Sequence, residues 1–196
     1  MGKYQKQLVG NGRDRSHKYW GGEQMPERKL IRLENYDYSQ PGYYFVTVCT
    51  KDHADWFGLI NNGQMNLNEF GGIVERQWLW LGKQYPYINL DTYVIMPNHF
   101  HGILVIVGNG RDRSLQNKIK PVPELLGVFK TTSSKLIHLA GGNGFLWQKS
   151  YYDHVIRGDK ELNLIREYII FNPAQWEKDE DNPPAQLPQK KECNGG

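Results

Sequence analysis

Cysteine is nearly absent from this 196-residue chain: Cys49 and Cys193 are the only two, and neither sits in a metal-ligand spacing. That excludes a disulfide scaffold and a zinc finger, and makes a reduced, cytosolic setting the expectation. Long apolar runs are missing as well. The longest uninterrupted one, Ile103 to Val107, is far short of the roughly 20 residues that cross a bilayer, so no membrane association is expected. The opening "MGKYQKQLVG" lacks the apolar stretch of a signal peptide. The excess of one sign of charge over the other is small too. A net +3 permits nucleic-acid binding without demanding it.

Apolar and aromatic residues are present in quantity. Hydrophobic residues make up 39% and aromatics 13%, enough for one domain to bury a core without staples. The expected organisation is a loosely held polar arm over 1–29, one domain over 30–176, and a disordered tail over 177–196 rich in Pro, Gln, Lys, Asp and Glu. "VGNGRDRS" occurs twice, at Val9 to Ser16 and at Val107 to Ser114. Its glycines, Asn and charges suit exposed loops, and two copies so far apart make no solenoid.

Periodicity predicts the elements of the domain. Tyr43 to Thr50 is rich in aromatic and β-branched residues after a Ser-Gln-Pro-Gly turn, which reads as a strand. Phe70, Ile73, Val74, Trp78 and Leu81 recur at helical spacing, with Asn68 as cap and Pro86 as stop. Tyr87 to Met96 and His99 to Val107 read as strands joined at Pro97-Asn98. A second helix carries Leu125, Leu126, Phe129, Leu136 and Leu139 and ends at a glycine pair. "GFLWQKSYYDHVIRG" reads as a last strand. A third helix follows, capped by Asp159 and ending at Asn172-Pro173. The order β-α-β-β-α-β-α predicts an α+β fold, a ferredoxin-like antiparallel sheet with an additional C-terminal helix. Such a fold carries no function of its own.

Two histidines interrupt the apolar strand "YVIMPNHFHGILVIV". His99 and His101 alternate, so their imidazoles project to one side about 7 Å apart. There they could converge on one ion and leave positions for carboxylate, amide or water oxygens. The plain alternative is two half-buried histidines bonded to neighbours, and a bare H-x-H does not decide between them. The metallo-β-lactamase-like H-x-H-x-D-H continuation is absent, and the chain is too short for an amidohydrolase barrel. Position 103 is Ile, not the third alternating histidine of the histidine-triad nucleotide hydrolases. On the third helix Tyr168 and Asn172 are four residues apart and share a face. A tyrosine hydroxyl can attack phosphorus, and an amide oxygen can complete the shell of a hard divalent ion. An amphipathic tyrosine that merely packs its ring is the alternative for Tyr168.

"YVIMPNHFHGILVI", then "LWQKSYYDHVIR", then "EYIIFNP" closely resemble the REP-associated tyrosine transposases of the HUH superfamily of single-tyrosine DNA transposases. "IRLENYDYSQPGYYFVTVCT" resembles the same group, so the likeness spans Ile31 to Trp176. Asn172 followed by Pro173 is similar to the REP-associated branch, whereas relatives from the smallest insertion sequences have Gln four residues after the tyrosine. The "GNGRDRS" insert departs from the family pattern between Val107 and Pro121.

The resemblance implies a bacterial-type, cytoplasmic, metal-dependent enzyme that cuts and rejoins single-stranded DNA bearing a hairpin, acting as monomer or homodimer. It implies attack by Tyr168 to give a 5′-phosphotyrosine and a 3′-hydroxyl, with His99, His101 and Asn172 holding Mg²⁺ or Mn²⁺. Imidazole, amide and phosphate oxygens suit these ions better than Zn²⁺. Lys130, Lys135, Lys149, Arg157 and Arg166 are candidate phosphate contacts, and Trp147, Tyr151 and Tyr152 candidate stacking platforms for unpaired bases. His154 is expected to be structural or to contact DNA. A non-cleaving DNA-binding module and a phosphoesterase that uses water are the rival readings.

Overall fold

The computed structural model describes residues 36–107 and 119–178, with Asn182 and two short strand pieces near the amino terminus. Those pieces, β1 (Tyr19–Trp20) and β2 (Glu23–Gln24), pair antiparallel inside the expected arm. A two-residue ladder is too short to leave a period in the sequence. The rest of the 1–29 arm, both copies of "GNGRDRS" and the tail beyond residue 178, apart from Asn182, lie outside the described residues.

A four-stranded antiparallel sheet forms the frame. Its strands are β3 (Gly42–Cys49), β6 (Ile88–Ile95), β7 (His99–Ile106) and β8 (Tyr152–Ile156), in the order β6-β7-β3-β8. Helix α1 (Glu69–Gln84) joins β3 to β6, and α2 (Val122–Leu139) joins β7 to β8. This is the ferredoxin-like order. Helix α3 (Asp159–Phe171) follows and continues into a 3-10 turn, Pro173–Lys178. None of these helices is long and apolar enough to cross a membrane.

Most boundaries follow local chemistry. The Asn68 side chain accepts from Gly71 N–H at 3.0 Å and starts α1. Helix α1 ends at Gln84, two residues before Pro86. Helix α2 stops before Gly141, whose φ of 94° favours glycine. The start of α3 differs from expectation: Gly158 is the cap and Asp159 the first helical residue. The last strand is also shorter than its sequence suggests. Trp147 makes only an isolated bridge to Thr50, and regular pairing begins at Tyr152.

An added hairpin went unread in the sequence. β4 (Gly58–Asn61) and β5 (Gln64–Leu67) are joined by Asn62-Gly63, with φ of 52° and 71°. Two successive positive φ values make the type I′ turn for which Asn-Gly is the strongest short signal.

Alternation along the strands builds two cores. Tyr44, Val46, Val48, Phe100, Leu104 and Ile106 face α1 and α2. Phe45, Ile103, Val105, Tyr152 and Ile156 face α3, which contributes Leu162, Ile165, Tyr168 and Ile169. Every residue of β7 is therefore buried. Burying Leu162, Ile165 and Ile169 supplies roughly 1.5–3 kcal/mol each towards holding α3 on the sheet. Gly102 lets β7 come this close: a Cβ there would lie 2.6 Å from Phe100 Cζ and 2.9 Å from Trp78 Cζ2.

Candidate active site

His99 and His101 lie on the α3 face of β7, and neither has any exposed surface. Their ring centroids are 4.5 Å apart, closer than the backbone spacing alone would give. Each ring is held through its Nδ1. Asn98 donates from Nδ2 to the His53 carbonyl at 3.1 Å, which turns its Oδ1 towards His99 Nδ1 at 2.8 Å. An amide oxygen only accepts, so in this contact His99 Nδ1 carries a proton. His101 Nδ1 is hydrogen-bonded to the Thr47 hydroxyl at 2.8 Å, and Thr47 is itself buried directly across the ladder on β3. Fixing Nδ1 by an oxygen partner is how metal-ligating histidines are oriented.

Helix α3 brings the tyrosine to this pair. The Tyr168 hydroxyl is 3.2 Å from His101 Nε2, and their rings lie 5.2 Å apart. Phe45 meets the Tyr168 ring edge-on at 6.1 Å and stacks on His101 at 5.5 Å. One turn on, Asn172 is the C-cap of α3 and is 3% exposed. One further turn on, the Trp176 ring lies 5.9 Å from His99. Tyr168 and Trp176 thus touch His101 and His99 respectively, with Asn172 between them in sequence on the same succession of turns.

Among the described residues no group of three or more His, Cys, Asp or Glu could hold an ion. The donors of this face that could hold an ion are the two imidazoles and the Asn172 amide, all buried. Imidazole nitrogen and amide oxygen are donors that a divalent ion can take.

The peripheral candidates separate into groups. Lys130, Lys135, Trp147 and Lys149 line one groove between α2 and the chain before β8. Trp147 is 8% exposed and its indole N–H donates to Ser133 Oγ at 3.0 Å, so most of its ring belongs to the core. Tyr151 packs partly buried against the core beneath α1 and α2, whereas Tyr152 is buried under α3. His154 is bonded to Glu161 Oε1 at 2.7 Å, which ties β8 to α3. Arg157 is exposed, and its backbone N–H donates to Glu161 Oε2 at 2.9 Å. Arg166 forks onto Asp91 at 2.9 and 2.5 Å. Asp91 sits where the β6–β7 register shifts between Leu90 and Tyr93, a bulge that re-aims it at α3. The guanidinium beside Asp91 holds its carboxyl below the usual value. Thr47, Asn98 and Trp176 were missed by sequence reasoning. Thr47 and Asn98 each left a trace, as a polar residue inside or beside an apolar strand.

Comparison with known proteins gives the geometry a context. No family profile matches the chain. An uncharacterized protein of Haemophilus influenzae is 36% identical over 166 residues, covering 78% of this chain and 92% of that protein. The two belong to one family. A second Haemophilus influenzae protein, provisionally named a REP-associated tyrosine transposase, is 23% identical over 151 residues, covering 73% of this chain and 77% of its own length. The chain is thus similar in sequence to a protein provisionally named a REP-associated tyrosine transposase. Two solved structures also align. One is a REP-associated tyrosine transposase bound to a REP hairpin, with 20% identity, TM-score 0.46, and 74% and 73% of the two chains covered. The other is a provisionally assigned transposase of Deinococcus radiodurans, with 16% identity, TM-score 0.44, and 71% and 95% covered. The ferredoxin-like assignment rests on the sheet order described above.

Proposed function

We propose that this relative of REP-associated tyrosine transposases is a metal-dependent single-stranded DNA transposase that cleaves and rejoins strands through Tyr168. One observation carries the reading: a tyrosine hydroxyl lies 3.2 Å from Nε2 of a histidine whose ring sits 4.5 Å from a second histidine. His99, His101 and Asn172 would hold a divalent ion, Mg²⁺ or Mn²⁺. Such an ion would supply charge neutralisation at the scissile phosphate.

The protein's own groups account for the rest. Tyr168 oxygen forms a bond to phosphorus, and the bond from phosphorus to the 3′-oxygen breaks. The proton lost by the tyrosine ends on that oxygen, leaving a free 3′-hydroxyl and a 5′-phosphotyrosine. Reversal by another 3′-hydroxyl joins strands with no external energy, because one phosphodiester is exchanged for another. The fork to Asp91 and the apolar seat of α3 keep the nucleophile in register with the histidines, which is where such catalysis gains most. Hairpin-bearing repeats are the proposed substrates, in keeping with the hairpin to which one aligned relative is bound.

The test is denaturing gel analysis of the full chain mixed with labelled single-stranded hairpin DNA and Mg²⁺. A covalent protein–DNA band supports the reading. Cleavage without a band means a hydrolase that uses water, and binding without cleavage means a DNA-binding module.

A further inference from the structure

The groove between α2 and residues 146–149 is a feature that the catalytic reading leaves without a task. It has a volume of about 670 Å³ and is open to solvent. Lys130, Lys135 and Lys149 line it together with Leu139, Leu146 and Trp147, and no Asp or Glu does. Leu139 is 75% and Leu146 49% exposed, a large apolar surface for an otherwise cationic site. Positive charge and exposed apolar side chains together match a ligand with phosphates on one side and unstacked bases on the other.

Its position adds a second argument. Gln148 N–H donates to the Cys49 carbonyl at 2.9 Å, and Lys51 N–H to the Leu146 carbonyl at 2.7 Å. Cys49 lies directly across the ladder from His99. The wall of the groove is therefore laid along the end of β3, one strand from the histidine pair. Lys130 fixes that wall by donating from Nζ to the carbonyls of Gln148 and Lys149, at 2.6 and 3.1 Å. Lys135 and Lys149 are exposed.

We propose that this groove seats a stretch of single-stranded DNA flanking the cleaved phosphate, with Lys135 and Lys149 on its backbone and Leu139 and Leu146 against its bases. The strand runs from the α3 face around the end of the sheet to the α2 face. Leucines contact any base without reading its edges, so the groove grips flanking DNA with little sequence preference. Lys130 is a positioning residue here, because its ammonium is engaged with the wall. The inference rests on the proposed DNA chemistry but concerns a different surface.

The experiment titrates the full chain with a short labelled single-stranded DNA in EDTA, following anisotropy, and repeats it with the double variant Lys135→Ala/Lys149→Ala. Loss of two phosphate contacts weakens binding on the order of tenfold at about 0.15 M salt and reduces the salt slope by about 1.4. Leu146→Ser should weaken binding with the slope unchanged. In Mg²⁺ the wild-type chain is assayed in parallel for the covalent adduct. Unchanged affinity and slope with the adduct intact would overturn the groove and leave the nucleophile standing. No adduct from the wild-type chain, with lysine-dependent binding retained, would remove the nucleophile and leave the groove. Tighter binding of RNA of the same sequence through the same two lysines would overturn DNA as its occupant.

Discussion

Replacing Tyr168 by Phe separates chemistry from folding at one atom. The ring is 8% exposed and sits against Phe45 and His101, and the substitution keeps all of that packing. What disappears is the hydroxyl and its 3.2 Å contact with His101 Nε2. One lost hydrogen bond that strands a buried ring nitrogen costs about 1–2 kcal/mol. For a domain of this size that lowers Tm by about 3–6 °C, leaving the protein folded at 25 °C. Tyr168→Ala would instead open a cavity costing about 3–5 kcal/mol, and its inactivity would be ambiguous. Covalent capture on a denaturing gel should vanish in Tyr168→Phe, while thermal unfolding stays cooperative. Tyr152→Phe is the control, because Tyr152 is equally buried in the same cluster but on β8. Wild-type adduct formation by Tyr168→Phe, or a phosphonucleotide mapped to Tyr152 by mass spectrometry, would refute the assignment.

Either His99→Ala or His101→Ala should abolish Mg²⁺-dependent cleavage while leaving DNA binding by anisotropy within a few-fold; normal cleavage by either would remove the metal role. Asn172→Ala should raise the Mg²⁺ concentration needed for half-maximal cleavage, since water can replace one amide oxygen, and an unchanged requirement would exclude it from the coordination shell. Gly102→Ala should destabilise by about 1–3 kcal/mol through overpacking against Phe100 and Trp78 and lower cleavage by moving β7, as read by urea unfolding and gel assay. Asp91→Asn should cost about 1 kcal/mol at pH 7 by weakening the fork from Arg166. Because the Asp91 carboxyl titrates below its usual value when folded, that stabilisation is present above about pH 4 and fades as pH falls through the lowered value, so the two proteins should converge in acid.

The sheet was legible in the sequence because each strand of the frame buries an alternating or continuous apolar set, and α1 announced itself through Asn68 and Pro86. The site was legible only as a set of separate motifs. Alternation put His99 and His101 on one side, and helical spacing put Tyr168 with Asn172. Nothing in the linear order said that α3 would cross the same face of the sheet. The roles of Thr47 and Asn98 depend on pairing across strands and on one carbonyl, that of His53, contacts that leave no local pattern. Arg166 read as a candidate phosphate contact, and its partner Asp91 is set by a bulge that leaves no local pattern. Trp147 looked like a stacking platform because its strand was read as regular, whereas the isolated bridge to Thr50 turns its indole into the core.

Helix α3 is tied down along its whole length. Glu161 anchors its first turn to His154 and the Arg157 backbone, Arg166 grips Asp91 at mid-length, and Ala174 just beyond its end abuts the β4–β5 turn, where a Cβ on Gly63 would meet the Ala174 Cα at 3.3 Å. These contacts resist displacement of a hydroxyl carried on the helix. On the proposed chemistry, a DNA end joined to Tyr168 is moored beside the histidines for the lifetime of the adduct. Exchange of strands on that chemistry would then call for the incoming 3′-hydroxyl to reach the phosphate where α3 holds it.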